Sequence, residues 1–326
     1  MEKIRWGILA TGKIAGKFAS GMQTVSKAKL QAVGSRSAGK AQAFAEQYGI
    51  DTVHTSYEAL ANDPEVDIIY IATPHPYHHA NTLMCLEAGK AVLCEKPIAI
   101  NAQQTAEMIE KAREKNVFLM EAMWTRFLPV WVQIKAWLEE GRIGEIKQLQ
   151  ADFAFKGPDD INHRVLNPDL AGGAMLDVGI YPLALAYHIF GEEPVHASTT
   201  AHIGKTGVDE QSAYLLGYAN GAFASLSSGV QVDSPRQAVI VGTAGKIVVP
   251  LFWKSSEVRI EYADGREEYY PFPYESSGLQ YQAVHAMQCL AEGKKESPIM
   301  PWSESLRLMK LMDRFRAEWG VKYPGE

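Results

Sequence analysis

The sequence has little of what marks several classes of protein. Its 326 residues include only three cysteines, Cys85, Cys94 and Cys289, and their spacing matches no zinc motif. Lysine and arginine total 32 against 38 aspartates and glutamates, and no basic block stands out, which argues against nucleic-acid binding. We therefore expect reduced thiols, no bound metal and no nucleic-acid partner.

Signals for membrane insertion and secretion are also missing. No apolar run approaches the roughly 20 residues that span a bilayer. The N-terminal stretch MEKIRWGILA leads almost directly into a strand and lacks the apolar core and cleavage site of a signal peptide. Hydrophobic residues make up 47% and charged residues 21%, the balance of an ordinary globular domain. We expect a cytoplasmic protein without a membrane partner.

The hydrophobic pattern divides the chain into two parts. Up to about residue 120, short apolar runs such as Val66–Ala72 (VDIIYIA) alternate with helical patterns, which predicts a parallel α/β sheet. From Val195 to Tyr270 strands follow one another, with turn pairs at Asn220-Gly221 and Asp264-Gly265. The second part is therefore predicted as an α+β domain with a large, mostly antiparallel open sheet.

The segment GILATGKIAGKF, Gly7–Phe18, follows the first strand and opens the first helix. The G-x-G-x-x-G positions of the dinucleotide fingerprint hold Ala10, Gly12 and Ala15. The glycine allows a backbone approach to a pyrophosphate, which the helix N-terminus favours. We expect Ala10 in a turn that needs no positive φ, and a plain βα turn is the alternative. The predicted cofactor contacts here are Ala10, Thr11, Gly12, Lys13 and Ile14.

The end of the second strand carries no carboxylate. NAD-specific sites usually place an acid there for the ribose 2′-hydroxyl, whereas this chain has Ser35, Arg36 and Ser37. A guanidinium flanked by hydroxyls suits a 2′-phosphate, because it supplies forked, charged donors. We therefore predict NADP as the cofactor, with NAD as the alternative. The alternative for Arg36 itself is an ordinary exposed loop arginine without a ligand.

Two later strands end in motifs that would share the ligand edge of a parallel sheet. IATPHPYHH places Thr73, Pro74, His75 and His78 there, and its histidine spacing does not support a metal site. LCEKP places Glu95 and Lys96 at the end of the next strand. We predict these six residues as cofactor contacts, although a lysine in this position is often only a solvated charge.

The downstream segment GGAMLDVGIYP contributes a second polar pair, Asp177 and Tyr181, after a flexible Gly172-Gly173. Four-residue spacing puts both on one helix face, unless Pro182 kinks the helix or marks its start. A lysine lowers the pKa of a nearby phenol, and a carboxylate orients either group. Lys96, Tyr181 and Asp177 are thus predicted as a proton-transfer set, with ordinary packing as the alternative for Tyr181.

These motifs, in this order, resemble the Gfo/Idh/MocA oxidoreductases, and the similarity covers essentially the whole chain. MEAMWTRFLP resembles the branch with dimeric dihydrodiol dehydrogenase and NADP-dependent D-xylose dehydrogenase. The family implies an N-terminal Rossmann domain over residues 1–121 and a substrate-binding and oligomerisation domain over residues 122–326, whose last helices could pack back on the first. It also implies a homodimer or homotetramer that pairs through the open sheet. Contributors to that sheet face are proposed to be Phe223, Leu226 and Val230.

The resemblance implies roles for individual residues as well. Lys96 would lie near the nicotinamide, often with a cis Lys-Pro bond, and Arg36 would bind the 2′-phosphate. Asp177 and Tyr181 would occupy the D-x-G-x-Y/H motif, and tyrosine there argues against an inositol dehydrogenase. The predicted substrate residues are Trp124, Arg126, Phe153, Asp177 and Tyr181.

The resemblance thus implies an NAD(P)-dependent oxidoreductase. It would move a hydride between nicotinamide and a CH–OH or C=O group of a sugar, polyol or cyclic diol. A non-catalytic NADP-binding regulator on the same fold is the alternative. Whether Lys96 or Tyr181 carries the proton stays open at this point.

Overall fold

The computed structural model describes residues 3–326, which form two compact units. The first contains the described residues up to Trp124 together with Glu275–Met309, and the second contains Thr125–Tyr274 together with Lys310–Glu326. The division of the chain into domains at residue 121, which the family resemblance implies, stays a prediction. The compact units differ from it chiefly because the segment Glu275–Met309 belongs to the first unit.

The first unit is built on a six-stranded parallel sheet with the strand order β3-β2-β1-β4-β5-β6. The chain lays down β1, β2 and β3 outward, then returns to place β4 on the other side of β1. Because of this reversal, the loops after β1 and β4 diverge and leave a crevice at the carboxyl edge. The elements are β1 (Ile4–Leu9), α1 (Lys13–Met22), β2 (Ala28–Gly34), α2 (Ala38–Tyr48), β3 (Thr52–His54), α3 (Tyr57–Ala61), β4 (Ile68–Ile71), α4 (His78–Glu87), β5 (Ala91–Glu95), α5 (Ala102–Lys115) and β6 (Leu119–Ala122).

The second unit is built on an eight-stranded sheet with the order β14-β13-β12-β11-β7-β10-β9-β8. Only the β7–β10 pair is parallel, and the other neighbours are antiparallel. The predicted fold class is therefore confirmed. The elements are α6 (Pro129–Glu139), β7 (Ile146–Ala154), α7 (Ile180–Phe190), β8 (His196–Ile203), β9 (Asp209–Gly217), β10 (Phe223–Gly229), β11 (Ala238–Gly242), β12 (Gly245–Val249), β13 (Glu257–Tyr262) and β14 (Glu267–Pro271). Later in the chain, α8 (Gln280–Ala291) belongs to the first unit, and α9 (Trp302–Trp319) begins in the first unit and ends in the second.

The segment that returns to the first unit is fastened to β6. The Trp302 indole donates to the Leu119 carbonyl at 2.8 Å, and the Ser305 hydroxyl donates to Glu121 at 2.6 Å. The other oxygen of Glu121 accepts from the Ile98 N–H at 3.1 Å. The carboxylate of Glu121 therefore joins the C-terminal segment to the loop that follows Lys96.

One face of the eight-stranded sheet is partly open. Leu215 on β9 and Phe223 on β10 are exposed on that face, whereas Leu226 and Val230 are buried. Of the three residues proposed for a paired sheet face, only Phe223 is therefore exposed. The prediction was wrong for Leu226, which lies three residues after Phe223 and thus on the opposite face of a period-two strand, and for Val230, which packs against Val165 and Ala174.

Within residues 3–326, the segment Pro168–Phe190 is the one helical stretch that is long and apolar enough to span a membrane. By length and composition its 23 residues could cross a membrane, which differs from the expectation that no run approaches that length. Of an apolar stretch of 18 residues within this segment, 94% is buried inside the protein. A segment that is hydrophobic all round is typical of the central helix of a large domain as well as of a membrane span.

Candidate functional site

The turn after β1 has the form of a phosphate-binding turn. Ala10 adopts φ 85°, and its N–H bonds the Gly34 carbonyl at 2.9 Å. The expectation that Ala10 avoids positive φ was therefore wrong. The tight passage from β1 into α1 demands that conformation from whichever residue stands there, at a cost of about 1–2 kcal/mol for alanine.

The glycine at position 12 is explained by the approach of a ligand, because nothing in the fold itself requires a glycine there. Its φ of −77° is open to any residue, and a Cβ placed on it would meet no protein atom within 4 Å. As the N-cap of α1, Gly12 has no side chain that could accept from the first-turn N–H groups. The geometry therefore suits a pyrophosphate, which such N–H groups and the helix dipole favour.

Arg36 follows β2 and is exposed between two aromatic rings. Its guanidinium carbon lies 5.9 Å from the Tyr57 ring centre and 5.6 Å from that of Tyr77. Ser35 is buried and accepts the Ser37 N–H at 3.2 Å, which shapes the loop. Arg36 makes no ion pair within residues 3–326, so a charged group of a ligand could pair with it.

His78 ties two loops of the crevice together. It is fully buried, with Nε2 2.8 Å from the Thr73 carbonyl and Nδ1 2.8 Å from the Pro97 carbonyl. Burial lowers the pKa of His78, although both carbonyl oxygens favour the protonated ring. His78 therefore acts on the crevice through the loops it joins. Pro74 and His75 begin the 3₁₀ turn that precedes α4.

Lys96 stands at the end of β5 on the same edge as the Ala10–Gly12 turn. The Lys96–Pro97 bond is cis, in agreement with what the resemblance implies. Glu95 is buried and accepts a hydrogen bond from the Tyr70 hydroxyl of β4. Burial raises the pKa of Glu95 to about 7, against the effects of the Tyr70 hydrogen bond and the Lys96 charge. Glu95 thus supports Lys96 from inside the sheet.

In the second unit, the motif GGAMLDVGIYP forms one helical run with an unusual start. Met175–Gly179 is a π-turn, in which the Ile180 N–H reaches the Met175 carbonyl five residues back, and α7 continues from Ile180. Pro182 cannot donate to the carbonyl four residues earlier, and a widened turn relieves the clash of its ring. The helix therefore neither ends nor begins at Pro182, and Asp177 and Tyr181 share one run.

Asp177 forms a forked ion pair with Arg164. Nη1 donates to Oδ1 at 2.9 Å and Nη2 to Oδ2 at 3.2 Å. The Asp177 side chain is 8% exposed and that of Arg164 is 52% exposed. Although burial lowers the pKa of Arg164, the charge of Asp177 raises it overall, and Tyr181 acts in the same direction. A guanidinium thus lies beside both Asp177 and Tyr181.

Sequence reasoning missed Arg164, because its loop carries no motif and its partner lies 13 residues away. It also missed Trp253. The Tyr181 ring lies 5.4 Å from Phe153, which in turn stacks on Trp253 at 4.1 Å. These rings form an aromatic wall beside the phenol. Trp253 is the middle residue of the short 3₁₀ turn Phe252–Lys254, and such a turn carries too weak a sequence signal to mark a site.

The remaining predicted residues lie at the start of α6. Trp124 is half-buried in a 3₁₀ turn, Trp124–Phe127, that precedes the helix. Arg126 is buried, and its Nη2 donates to the Ala184 carbonyl at 2.8 Å in α7. Arg126 therefore braces the helix that carries Tyr181. Among residues 3–326, no cluster of three or more histidine, cysteine or acidic side chains could hold a metal.

Known proteins share this architecture throughout the chain. Residues 4–123 match the oxidoreductase family model with an NAD-binding Rossmann fold, and residues 131–248 match the Gfo/Idh/MocA C-terminal domain. Trans-1,2-dihydrobenzene-1,2-diol dehydrogenase of Xenopus tropicalis is 38% identical over 98% of this chain and 99% of its own.

Two solved structures show the same fold. Aldose-aldose oxidoreductase from Caulobacter crescentus, complexed with glycerol, has a TM-score of 0.88 at 25% identity, with 97% of both chains covered. The 3-ketoreductase KijD10 from Actinomadura kijaniata, with NADP and TDP-benzene, has a TM-score of 0.85 at 26% identity and covers 97% of this chain and 98% of its own. The chain belongs to the Gfo/Idh/MocA family, and it is an NAD(P)-dependent oxidoreductase rather than a non-catalytic regulator.

Proposed function

We propose that the protein is an NADP-preferring dehydrogenase that oxidises a CH–OH group of a cyclic trans-diol or a sugar, or reduces the corresponding carbonyl. The observation that carries this proposal is the cluster of Tyr181, Asp177 and Arg164 beside an aromatic wall, in a chain similar over its whole length to dihydrodiol dehydrogenases. A phenol held among aromatic rings and a guanidinium suits a small cyclic substrate with adjacent hydroxyls.

The proposed chemistry divides among four residues. A bound nicotinamide cofactor would supply the hydride acceptor for oxidation of the alcohol and the hydride donor for reduction of the carbonyl. Tyr181, in its phenolate form, accepts the hydroxyl proton as the C=O bond forms, and the resulting phenol returns that proton in the reverse direction. The ammonium of Lys96 is proposed to stabilise the negative charge that develops on the substrate oxygen. Asp177 holds Arg164 beside the phenol, so the proposed orienting role of Asp177 acts through an arginine.

Nicotinamide absorbance with a panel of trans-diols, sugars and keto-sugars tests the activity. Lys96→Met and Tyr181→Phe should each lower kcat by about 100-fold or more, since proton transfer alone contributes roughly 10²–10⁴. Binding of NADPH, followed by quenching of tryptophan fluorescence, should persist in Tyr181→Phe. Full turnover in both variants would sink the proposed roles.

The preference for NADP rests on Arg36. The exposed guanidinium of Arg36 lies between Tyr57 and Tyr77, and the loop Ser35–Ser37 contains no acid, which suits a 2′-phosphate. We expect kcat/KM to favour NADPH over NADH by about tenfold or more, the worth of one charged hydrogen-bonded contact. Arg36→Ala should abolish that ratio by its effect on NADPH alone. If Arg36→Ala leaves the NADPH-to-NADH ratio of kcat/KM unchanged, the role of Arg36 in selecting NADPH is contradicted. The other residues of the cofactor site would then bind either cofactor.

We also propose a homodimer or homotetramer assembled through the open sheet face that carries Leu215 and Phe223. Light scattering should give at least twice the chain mass of 36.0 kDa. Phe223→Glu should reduce that mass, because it places a charge in an apolar interface, while Glu267→Gln on β14 serves as the exposed control. A monomeric wild type would rule the proposal out.

A cytoplasmic location is proposed as well. Cys85, Cys94 and Cys289 are free, buried thiols, a state that a reducing compartment maintains. Immunoblots of cell fractions would test it.

A further inference from the structure

The glycine inside the Asp177–Tyr181 motif is packed against two hydroxyl groups. A Cβ on Gly179 would lie 2.7 Å from the Ser228 oxygen and 2.8 Å from the Tyr214 hydroxyl. The Tyr214 ring stacks on Phe315 with centroids 5.4 Å apart, and its hydroxyl bonds both Ser212 and Ser228, so the hydroxyl is held in place. Glycine at this position is therefore required by contact with the sheet, and the contact lies between Asp177 and Tyr181 in the chain.

Three hydroxyls form one buried cluster under the π-turn. Ser212 and Tyr214 lie on one face of β9, and Ser228 pairs with Ser212 across to β10. The Ser212 oxygen is 2.7 Å from the Tyr214 hydroxyl and 2.9 Å from the Ser228 oxygen, and the last two are 2.9 Å apart. All three side chains are 5% exposed or less. We call Ser212, Tyr214 and Ser228 the hydroxyl cluster.

The hydroxyl cluster continues to a buried carboxylate at the start of the same helix. Asp209 is completely buried, and its Oδ2 accepts from Ser212 at 3.2 Å and from the Met175 N–H at 2.8 Å. The Met175 N–H is one of the first donors of the helical run, which have no partner inside the helix. Asp209 therefore caps, from a separate strand, the turn that carries Asp177.

The double glycine before the motif completes this fit. Gly173 has φ +114°, and a Cβ on it would lie 2.3 Å from Asp209 Oδ1. A Cβ on Gly172 would lie within 2.9 Å of the Arg164 and Asn167 carbonyl oxygens. The expected flexible approach is thus a closely packed one. It brings the backbone of the Arg164 loop against the start of the helix that pairs with Arg164.

We infer that Asp209 and the hydroxyl cluster are positioning residues for the proton-transfer group. They fix the height and rotation of the Met175–Gly179 turn, so that Asp177 meets Arg164 and Tyr181 meets Phe153. None of the four side chains is assigned contact with substrate or cofactor. The inference rests on the proposed function for its catalytic consequence, but its structural half is testable without turnover.

The test is a steric compensation series. Gly179→Ala should push the turn off the sheet and lower kcat by about 10- to 100-fold, with the KM for NADPH unchanged, since misplacement of a reacting group by about 1 Å costs on that order. Adding Tyr214→Phe and Ser228→Ala removes both obstructing oxygens and should restore most of the loss. Ser212→Ala, a milder change that leaves the turn unobstructed, should cost severalfold in kcat.

The control is Gly245→Ala on β12, where a Cβ would lie 2.7 Å from the Glu261 carbonyl oxygen, in the same unit but in no contact with the motif. We expect it to lower the thermal midpoint but not kcat at temperatures where the protein is folded. If Gly179→Ala behaves like this control, or the added substitutions restore nothing, the inference is overturned.

A second measurement separates this inference from the proposed function. With ¹³Cζ-labelled tyrosine, the Tyr181 signal, assigned by its loss in Tyr181→Phe, reports its surroundings without any substrate. Gly179→Ala should shift the chemical shift and titration of Tyr181, and the triple variant should return them toward wild type. This pattern supports the positioning role even if no substrate turns over, whereas an unmoved Tyr181 signal refutes it even if the enzyme is active.

Discussion

Each unit has a buried carboxyl group with a raised pKa near the residues proposed for proton transfer, Glu95 in the first and Asp209 in the second, and the two are held in different ways. Glu95 lies beside Lys96 and accepts from the Tyr70 phenol, with the like charge of Glu121 nearby. Asp209 accepts from the Met175 N–H and the Ser212 hydroxyl, with Arg316 as its more distant cation. Burial raises the pKa of each carboxyl to about 7, against the hydrogen bonds and the cations that lower it, and Glu121 adds to the rise at Glu95.

The comparison teaches that a similar pKa arises from different surroundings and serves different ends. The charge state of Glu95 changes the field at Lys96, so its titration reaches the chemistry directly. The charge state of Asp209 changes a helix cap and the hydroxyl cluster, so its titration reaches stability and geometry first. Substituting each carboxyl by its amide should separate these two consequences.

The largest effect is expected for Asp209→Asn. Between about pH 4 and pH 7 the folded wild type keeps a proton on Asp209 that the unfolded chain releases, so stability falls as pH rises through this window. The loss approaches about 4 kcal/mol, from roughly three pK units at 1.36 kcal/mol each. Asp209→Asn should lack this loss in urea unfolding measured from pH 4 to pH 8. Parallel curves for variant and wild type would show that Asp209 titrates normally.

Glu95→Gln should give the next largest change. The folded pKa of about 7 lies above the ordinary glutamate pKa of 4.5, so wild-type stability falls between those pH values by about 3 kcal/mol, and the variant should escape that fall. Unlike Asp209→Asn, it should also move the pH dependence of kcat, because the charge beside Lys96 no longer varies. The proposed difference between the units is wrong if Glu95→Gln and Asp209→Asn both change the pH dependence of kcat, or if neither of them does.

Arg164 tests whether the second unit holds its phenol by charge or by shape. Arg164→Met keeps much of the apolar stem but removes the fork on Asp177, and we expect kcat/KM for the alcohol to fall by about 100-fold. Arg164→Lys retains a point charge without the fork and should fall in between. The KM for NADPH should stay constant in both. Equal activity of the methionine and lysine variants would favour shape over charge.

Much of the fold follows from sequence pattern, since long apolar runs such as Val66–Ala72 and the hairpin turn Asn220-Gly221 leave few alternatives. The strand Thr52–His54 and the helix Tyr57–Ala61 went unpredicted, because both are very short and the strand is only half-buried at the sheet edge. Tertiary contacts, rather than local pattern, define such elements.

Residues of the candidate site could be predicted only where a sequence motif marked them. The Lys96 loop and the Asp177–Tyr181 pair stand out in the sequence, but Arg164 becomes significant only when the chain folds it onto Asp177. The positive φ of Ala10 follows from the shape of the turn and not from residue preference. Likewise, Ser212 and Ser228 look like ordinary strand serines until β9 and β10 pair.

The smallest expected effects come from one aromatic side chain in each unit. Tyr77→Leu removes one ring beside Arg36 and should raise the KM for NADPH by about two- to fivefold, the value of an exposed cation–π contact. Trp253→Leu removes the ring stacked on Phe153 and should raise the KM for the alcohol to a similar extent. Each substitution should leave the other KM unchanged, because the first unit is proposed to hold the cofactor and the second the substrate. Steady-state kinetics with both substrates varied would check this. If Trp253→Leu raised only the KM for NADPH, the second unit rather than the first would hold the cofactor.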